Sequence, residues 1–252
     1  MNPAPIAIQL YTVRDALAKG FEPVIRQIAD MGYAGVETAG FPGTTPEAAA
    51  KLFKSLGLKV SSAHTGLPVG PDKNKVIDQA KTLGITRLVS GKGPDDFKTP
   101  DLIQKTCELF NQAAQGAKEN GMTFSIHNHW WEFQSLNGKP IYKYMLEHLD
   151  PSVLFEIDVY WVQTGGCNPA AIVKELGHRA PLLHIKDGPC VQNQPMTAVG
   201  AGKVDMPTVA KAGAATTEWM IVELDSCATD MLTAVKQSYD YLVGKGLARG
   251  NR

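Results

Sequence analysis

Eight short β-like runs alternate with longer helix-like stretches along this chain, and the alternation limits the fold more than any other feature. The runs cover residues 5–11, 32–39, 58–65, 85–91, 122–129, 153–161, 181–188 and 218–225. Strands that alternate with helices form parallel sheets, because each crossover returns the chain to the same edge. Eight such repeats in 252 residues predict an α/β fold, a single-domain (β/α)8 TIM barrel over residues 1–252.

Hydrophobic spacing shows where the helices between the runs lie. In FEPVIRQIADM, Val24, Ile25 and Ile28 recur at helical intervals. The same reasoning predicts helices in PEAAAKLFKSL, DLIQKTCELFNQAAQGAKEN and DMLTAVKQSYDYLVGKG. Gly32 and Gly84 follow helix-like stretches, as helix-ending glycines do. The alternative fold, a doubly wound open sheet, places a Gly-rich turn after its first strand, and YTVRDALAKG does not contain one.

Composition and charge exclude several classes of protein. Lys+Arg and Asp+Glu both total 25, and this zero net charge argues against a nucleic-acid or anionic-membrane partner. No apolar run approaches the roughly 18 residues of a membrane span. The four cysteines form no CxxC motif, and the first residues lack a basic, then apolar, leader pattern. These features favour a cytoplasmic protein.

Ionisable pairs stand at or near the ends of the last four runs. They are His127 and His129, Glu156 and Asp158, His184 and Lys186, and Glu223 and Asp225. Residues i and i+2 of a strand face the same side, and inward residues at the carboxyl ends of barrel strands border the catalytic mouth. The first three runs end similarly, with Gln9 and Tyr11, Glu37, and His64.

So much charge inside a barrel requires compensation, because an unpaired buried ion costs several kcal/mol. A divalent cation is the simplest compensator, and Asp, Glu and neutral His suit Mn²⁺, Zn²⁺, Co²⁺ or Mg²⁺. The pattern therefore predicts a metal site. The alternative for a single residue is structural: Glu156 could lie in a lower layer, and Asp187 and Asp225 could cap loops or helices.

Two further features lie near the same strand ends. Four aromatic residues, Trp130, Trp131, Tyr160 and Trp161, follow the fifth and sixth runs and suit either a sugar-stacking surface or the core. The long loop 189–205 is a candidate lid. Its segment VGAGKVDM resembles a phosphate loop only weakly, because a short Gly-x-Gly turn is common.

The ordered motifs IAIQLYTVRD, GYAGVETAG, HNHWWEF, FEIDVYWVQTGG, LHIKDG, VGAGKVDM and IVELD resemble the xylose isomerase-like (β/α)8 superfamily, in its sugar phosphate isomerase/epimerase group. The resemblance covers essentially the whole chain. It implies one divalent metal ion held by Glu, Asp, His and Glu on strands five to eight. Asp158, His184 and Glu223 match three of these positions. His127 stands at the remaining one, where many relatives have glutamate, and is the fourth predicted ligand, with His129 and Glu132 as the alternatives.

That departure affects the reaction that the resemblance implies. Ketose 3-epimerases of the family use two metal-bound glutamates on opposite sides of the substrate, and a histidine three residues after the strand-six aspartate. This chain keeps only Glu223 of the pair and has Trp161 at the histidine position. The hypothesis is therefore proton abstraction next to a carbonyl of a sugar or cyclitol, through an enediolate. Isomerisation or epimerisation, and elimination by a lyase or dehydratase, both remain open.

Roles follow for the remaining residues. Glu223 and His129 are the candidate bases, and Lys186 is the candidate acid or alkoxide-stabilising group. Asn128 faces away from the histidines and is predicted to be structural. The predicted substrate contacts are Gln9, Tyr11, Glu37, His64, Trp130, Glu132 and Trp161.

Two other classes serve as alternatives. One is a metal-dependent phosphodiesterase of the apurinic endonuclease type, and the other is a sugar-binding barrel without catalysis. The expected partner is a small carbohydrate, and the family resemblance adds a possible homo-oligomer.

Overall fold

The computed structural model describes residues 2–251. The predicted domain, residues 1–252, also includes Met1 and Arg252, which lie outside the described residues. Each β-like run contains one strand, shorter than the run itself. The strands are β1 Ile6–Gln9, β2 Gly35–Thr38, β3 Lys59–His64, β4 Arg87–Ser90, β5 Thr123–His127, β6 Leu154–Asp158, β7 Leu182–Ile185 and β8 Trp219–Val222.

The eight strands close into a parallel barrel in sequence order. Each strand pairs with the next along the chain, and β8 closes the barrel on β1 with Met220 opposite Ile6. This closure confirms the TIM barrel and excludes the open doubly wound sheet. All carboxyl ends of the strands meet at one mouth, which is where the ionisable pairs lie.

The helices between the strands match the hydrophobic spacing. They are α1 Arg14–Leu17, α2 Phe21–Met31, α3 Pro46–Ser55, α4 Lys73–Leu83, α5 Pro100–Lys118, α6 Ile141–His148, α7 Val159–Thr164, α8 Pro169–Leu176, α9 Met206–Gly213 and α10 Met231–Gly244. A short hairpin, Ser135–Leu136 with Lys139–Pro140, precedes α6. None of the helices in residues 2–251 combines the length and apolar character of a membrane span.

Local signals set the helix ends. The Thr99 hydroxyl accepts a hydrogen bond from Leu102 N at the start of α5, and Thr45 does the same for α3. Gly32 ends α2 at a φ of 102°, a conformation that glycine adopts without strain. Val24, Ile25 and Ile28 are buried against the barrel wall, so the predicted apolar stripe faces the strands.

Candidate metal centre

Four residues on consecutive strands converge at the barrel mouth. His127 and Asp158 end β5 and β6, His184 lies in β7, and Glu223 follows β8 directly. One ligand atom from each residue lies within 4.8 Å of those from the others, and all four side chains are buried. The closed parallel barrel brings the carboxyl ends of its strands to one mouth, and the four predicted ligands meet there.

The buried atoms of this cluster fit a cation. Both ring nitrogens of His127 make no hydrogen bond among the described residues, whereas Asp158 Oδ2 and Glu223 Oε2 pair with the Lys186 ammonium. A buried polar atom without a partner costs about 1–3 kcal/mol. Two imidazoles and two carboxylates form a donor set that suits Mn²⁺, Zn²⁺ or Co²⁺, and one such ion would satisfy all four groups.

Lys186 brings a positive charge to the same oxygens. Its Nζ lies 3.0 Å from Asp158 Oδ2, 2.8 Å from Glu223 Oε2 and 2.9 Å from Asp225 Oδ2. Burial would lower the pKa of Lys186, but the three carboxylates hold it well above its ordinary value. Lys186 is therefore a buried, positively charged ammonium beside the cluster. A cap, the alternative role predicted for Asp225, does not account for this contact with Lys186.

The ring of His184 is fixed from both sides. Its Nδ1 lies 2.7 Å from Glu223 Oε2, and its Nε2 lies 3.0 Å from both Glu37 Oε1 and Glu156 Oε2. Carboxylates on the far nitrogen of a ligating imidazole set its tautomer and orientation. Glu37 and Glu156 therefore direct Nδ1 toward the cluster, in keeping with a lower-layer, structural Glu156.

Two predicted substrate contacts, Glu37 and Gln9, lie behind His184 in this arrangement, and their contact with substrate stays a prediction. Glu37 and Gln9 have no exposed surface. The carboxylate of Glu37 accepts hydrogen bonds from the Gln9 amide and the Ser62 hydroxyl, besides its contact with His184. Burial would raise the pKa of Glu37, but the neighbouring His184 lowers it to about 2. Both residues support the cluster from below. Strand alternation predicts the face on which a residue lies but not its depth inside the barrel.

The two histidines of HNH have different surroundings. Burial, and then the nearby His184, lower the pKa of His127 well below its ordinary value, which gives the neutral imidazole that a metal ligand requires. The ring of His129 stacks on Trp131, with centroids 4.1 Å apart and planes at 12°. Burial, followed by His127, lowers the pKa of His129 to about 2. Burial would raise the pKa of Glu223, but Lys186 and then His184 hold it well below its ordinary value, so Glu223 and His129 both stay candidates for the base.

Asn128 confirms its predicted structural role. Its Oδ1 accepts a hydrogen bond from Asp158 N at 3.0 Å, and its Nδ2 donates to Asp158 O at 3.3 Å. The side chain thus joins the carboxyl ends of β5 and β6 from the outer face. The Asp158 carboxylate also begins α7, where its Oδ1 accepts Trp161 N at 2.9 Å.

Aromatic side chains and partly exposed polar groups surround the cluster. Trp130 lies 4.7 Å from Trp131 and 4.8 Å from Trp161, measured between ring centroids, and Lys186 Nζ lies 5.5 Å from the Trp161 ring. The His64 ring lies 5.2 Å from that of His127 and remains partly exposed. Trp130, Trp161 and His64 therefore adjoin the cluster, and their contact with substrate stays a prediction.

Tyr11 lies on the exposed turn after β1. Its ring is 44% exposed, and the guanidinium of Arg14 lies 4.1 Å from the ring centroid. Arg14 also donates to Asp225 O at 2.9 Å, which connects this turn to the loop after β8. No sequence motif indicated Arg14, because its partner is a backbone carbonyl.

Glu132, a predicted substrate contact, is buried outside the cluster, and its contact with substrate stays a prediction. Its carboxylate accepts His129 N at 2.9 Å, and the side chain is 1% exposed. It lines a small, mostly apolar pocket on the outer side of the barrel wall, with Tyr142 and Met145 of α6. The short turn Trp131–Phe133 after β5 directs the side chain away from the mouth, so strand alternation does not apply to it.

Glu132 should make stability depend on pH. Burial raises its pKa to about 8 from the ordinary 4.5, so the folded state keeps a proton that the unfolded state loses. Stability then falls as pH rises from about 5 to about 8, by at most about 1.4 kcal/mol per pH unit. Glu132→Gln mimics the neutral acid and should remove this part of the slope.

Urea unfolding at about pH 5 and about pH 8 measures the effect, which should reach a few kcal/mol. Glu108→Gln, at an exposed position on α5, is the matched control and should keep the wild-type slope. Parallel curves for the wild-type protein and Glu132→Gln would show that Glu132 is ionised in the folded state.

A closed (β/α)8 barrel with His, Asp and Glu gathered at its mouth could hold a metal ion there. The family model described as xylose isomerase-like TIM barrel matches residues 25–242, and the chain belongs to that family. A comparison with curated proteins found no match.

Solved structures share the whole fold. Two sugar phosphate isomerase/epimerase structures from Parabacteroides distasonis ATCC 8503 both superpose with a TM-score of 0.82. One has 26% identity and covers 98% of this chain and 100% of its own, and the other has 23% identity with 99% and 96%. The probable 3-DHS dehydratase AsbF from Bacillus anthracis has a TM-score of 0.77 at 13% identity, with 95% and 98% covered.

Proposed function

We propose that this chain is a divalent-metal-dependent isomerase or epimerase of a sugar or cyclitol. The observation that carries the proposal is the convergence of His127, Asp158, His184 and Glu223, with unpartnered buried atoms, beside a buried ammonium. A divalent cation held by these four residues would supply a Lewis acid for the substrate carbonyl. The likeness to sugar phosphate isomerase/epimerase structures supports this choice.

Glu223 and Lys186 divide the proton chemistry. Glu223 takes the proton from the carbon next to the carbonyl, and the electrons of that C–H bond form the enediolate. Lys186 stabilises the developing oxyanion. Return of the proton from Glu223 to the neighbouring carbon gives an isomer. An epimer forms when a second group, for which Lys186 is the candidate, protonates the opposite face of the same carbon.

Elimination is the second candidate reaction, and the contact between Lys186 and Glu223 supports it. When the enediolate expels a β-hydroxyl, Lys186 donates the proton that lets it leave as water. The proton taken by Glu223 can then pass to Lys186 across 2.8 Å, which restores both groups. The fold shared with a probable dehydratase agrees with this alternative.

Hydrogen exchange with solvent tests the proposal. Protein reconstituted with Mn²⁺ and incubated in D₂O with free ketoses, inososes and 3-keto-glycosides should place deuterium next to the carbonyl of one of them. Glu223→Gln should slow this exchange by about 10²–10⁴-fold. Glu218→Gln, at the amino end of the same strand, should not. NMR of the products separates isomers from elimination products.

Exchange into none of these compounds would contradict the proposal. Nicking of a plasmid with abasic sites would then support the phosphodiesterase alternative. Binding of a sugar without exchange would support the non-catalytic barrel.

A further inference from the structure

The loop after β7 folds around one buried carboxylate. Asp187 has no exposed surface. Its Oδ1 accepts Gly188 N at 2.8 Å and Val204 N at 3.1 Å, and its Oδ2 accepts Gly200 N at 2.9 Å and Gly202 N at 3.1 Å. Four backbone amides from a 17-residue span thus converge on a single anion, and they hold the candidate lid against the barrel. This is the cap predicted for Asp187, extended to a whole loop.

Converging backbone amides are a common way to bind a phosphate group. TIM barrels frequently place that group at the loops after strands seven and eight. The segment VGAGKVDM lies in the loop after β7, and its glycine amides form part of the arrangement. A Cβ on Gly202 would overlap Asp187 Oδ1 and Gly188 N, so the glycine permits close approach to the carboxylate. The phosphate-like position is filled from within the chain.

The charges next to this loop also disfavour a phosphate. Lys186 is engaged by Asp158, Glu223 and Asp225 at 2.8–3.0 Å. Because these carboxylates already hold the ammonium, Lys186 is not free to pair with a phosphate dianion. Lys92, after β4, and Lys203, in the loop, make no ion pair among the described residues, so they are the cations that a test must include.

The opposite side of the cluster offers a different surface. Trp130, Trp131 and Trp161 form a connected aromatic wall, with centroids 4.7–4.8 Å apart. Aromatic faces pack against the apolar C–H faces of a sugar ring without needing charge. The mouth therefore places an aromatic wall beside the cluster.

We infer that the substrate of this barrel is an uncharged sugar or cyclitol and not a sugar phosphate, because Asp187 occupies the amides that would hold the phosphate. The inference rests on the proposed function and names its substrate class. Two solved structures that share this fold are named sugar phosphate isomerase/epimerase, whereas the substrate inferred for this chain has no phosphate group.

Matched pairs of substrates test the inference. Exchange from D₂O is measured for ketoses with and without a phosphate ester, such as D-fructose and D-fructose 6-phosphate, and D-ribulose and D-ribulose 5-phosphate. The uncharged member of a reactive pair should have the higher kcat/KM by about tenfold or more. A Lys92→Met, Lys203→Met double variant should retain this preference. Equal or faster exchange of the phosphate esters by the wild-type protein would overturn the inference.

Phosphate binding gives a result that does not depend on catalysis. Inorganic phosphate added to the metal-loaded protein should leave the ¹⁵N amide signals of Gly200 and Gly202 in place, and movement of those signals on saturation would overturn the inference. In Asp187→Asn the carboxylate charge is gone, and phosphate should move the same signals. The wild-type titration decides the matter without the variant. Suppose that no sugar exchanges hydrogen with solvent and that phosphate leaves these amide signals in place. The proposed function then fails, while the assignment of Asp187 as the partner of these amides stands.

Discussion

Asp158→Asn should give a folded barrel that no longer binds a divalent cation. Asp158 has two separate tasks, since Oδ1 accepts Trp161 N and Oδ2 points into the cluster. Asparagine keeps an oxygen for the first task and removes the charge needed for the second. Loss of partners outside the ligand set already costs roughly 10–100-fold in metal affinity, so loss of a ligand should cost more than about 100-fold.

Metal analysis after reconstitution and desalting measures this result. The wild-type protein should carry about one ion per chain, as expected for one four-ligand site, and Asp158→Asn should carry almost none. Asp230→Asn is the matched control, because Asp230 caps α10 in the same way, through Thr233 N at 2.8 Å. Circular dichroism should show both variants folded. Full metal content in Asp158→Asn would refute the ligand assignment.

Lys186→Met should destabilise the protein strongly when metal is removed by a chelator. The ammonium is 1% exposed and contacts three carboxylates. Removal of one partner from a buried ion pair typically costs about 3–5 kcal/mol, because the remaining charge stays buried without compensation. Addition of Mn²⁺ should recover part of the loss, because the cation takes over two of the oxygens that the lysine leaves.

Urea unfolding in EDTA and in Mn²⁺ compares this variant with Lys236→Met. Lys236 pairs with Asp240 at 2.6 Å on the exposed face of α10, and exposed pairs contribute only about 0.2–1 kcal/mol. The control should therefore lose little stability and show no additional response to Mn²⁺. Equal stability of the two variants in EDTA would show that Lys186 does not balance the cluster.

The barrel could be predicted because its signal is repeated eight times. Hydrophobic runs and helical spacing located every strand, and α2 has the predicted bounds. The runs overshot the strands, since residues beyond the hydrogen-bonded register are still apolar or aromatic. Trp161 is an example: it follows Asp158 in the sixth run, yet it belongs to α7.

The cluster could be predicted in part, for a physical reason. Alternation along β5 and β6 gave the inward face of His127 and Asp158 correctly. Alternation does not predict how deep inside the barrel a residue lies. Glu37 and Gln9 were therefore predicted to contact substrate, and the structure places them beneath the cluster. Alternation also fails once a strand has ended, as Glu132 shows. Partners such as Ser62 and Asp225 come from distant strands, and their contacts exist only after the barrel closes.

The two halves of the chain contribute differently to the cluster, because its candidate ligands all come from β5–β8. The second half supplies the four candidate ligands and Lys186, while the first half reaches the cluster through the Glu37 carboxylate behind His184. The loops after β1, β3 and β4 supply none of the four candidate ligands, and most of their positions can change, except Gly91, where a Cβ would lie 2.9 Å from His127 O. Grafting these loops between family members should change which molecule is accepted while the reaction is kept, which makes the first half of the barrel the natural target for directed evolution.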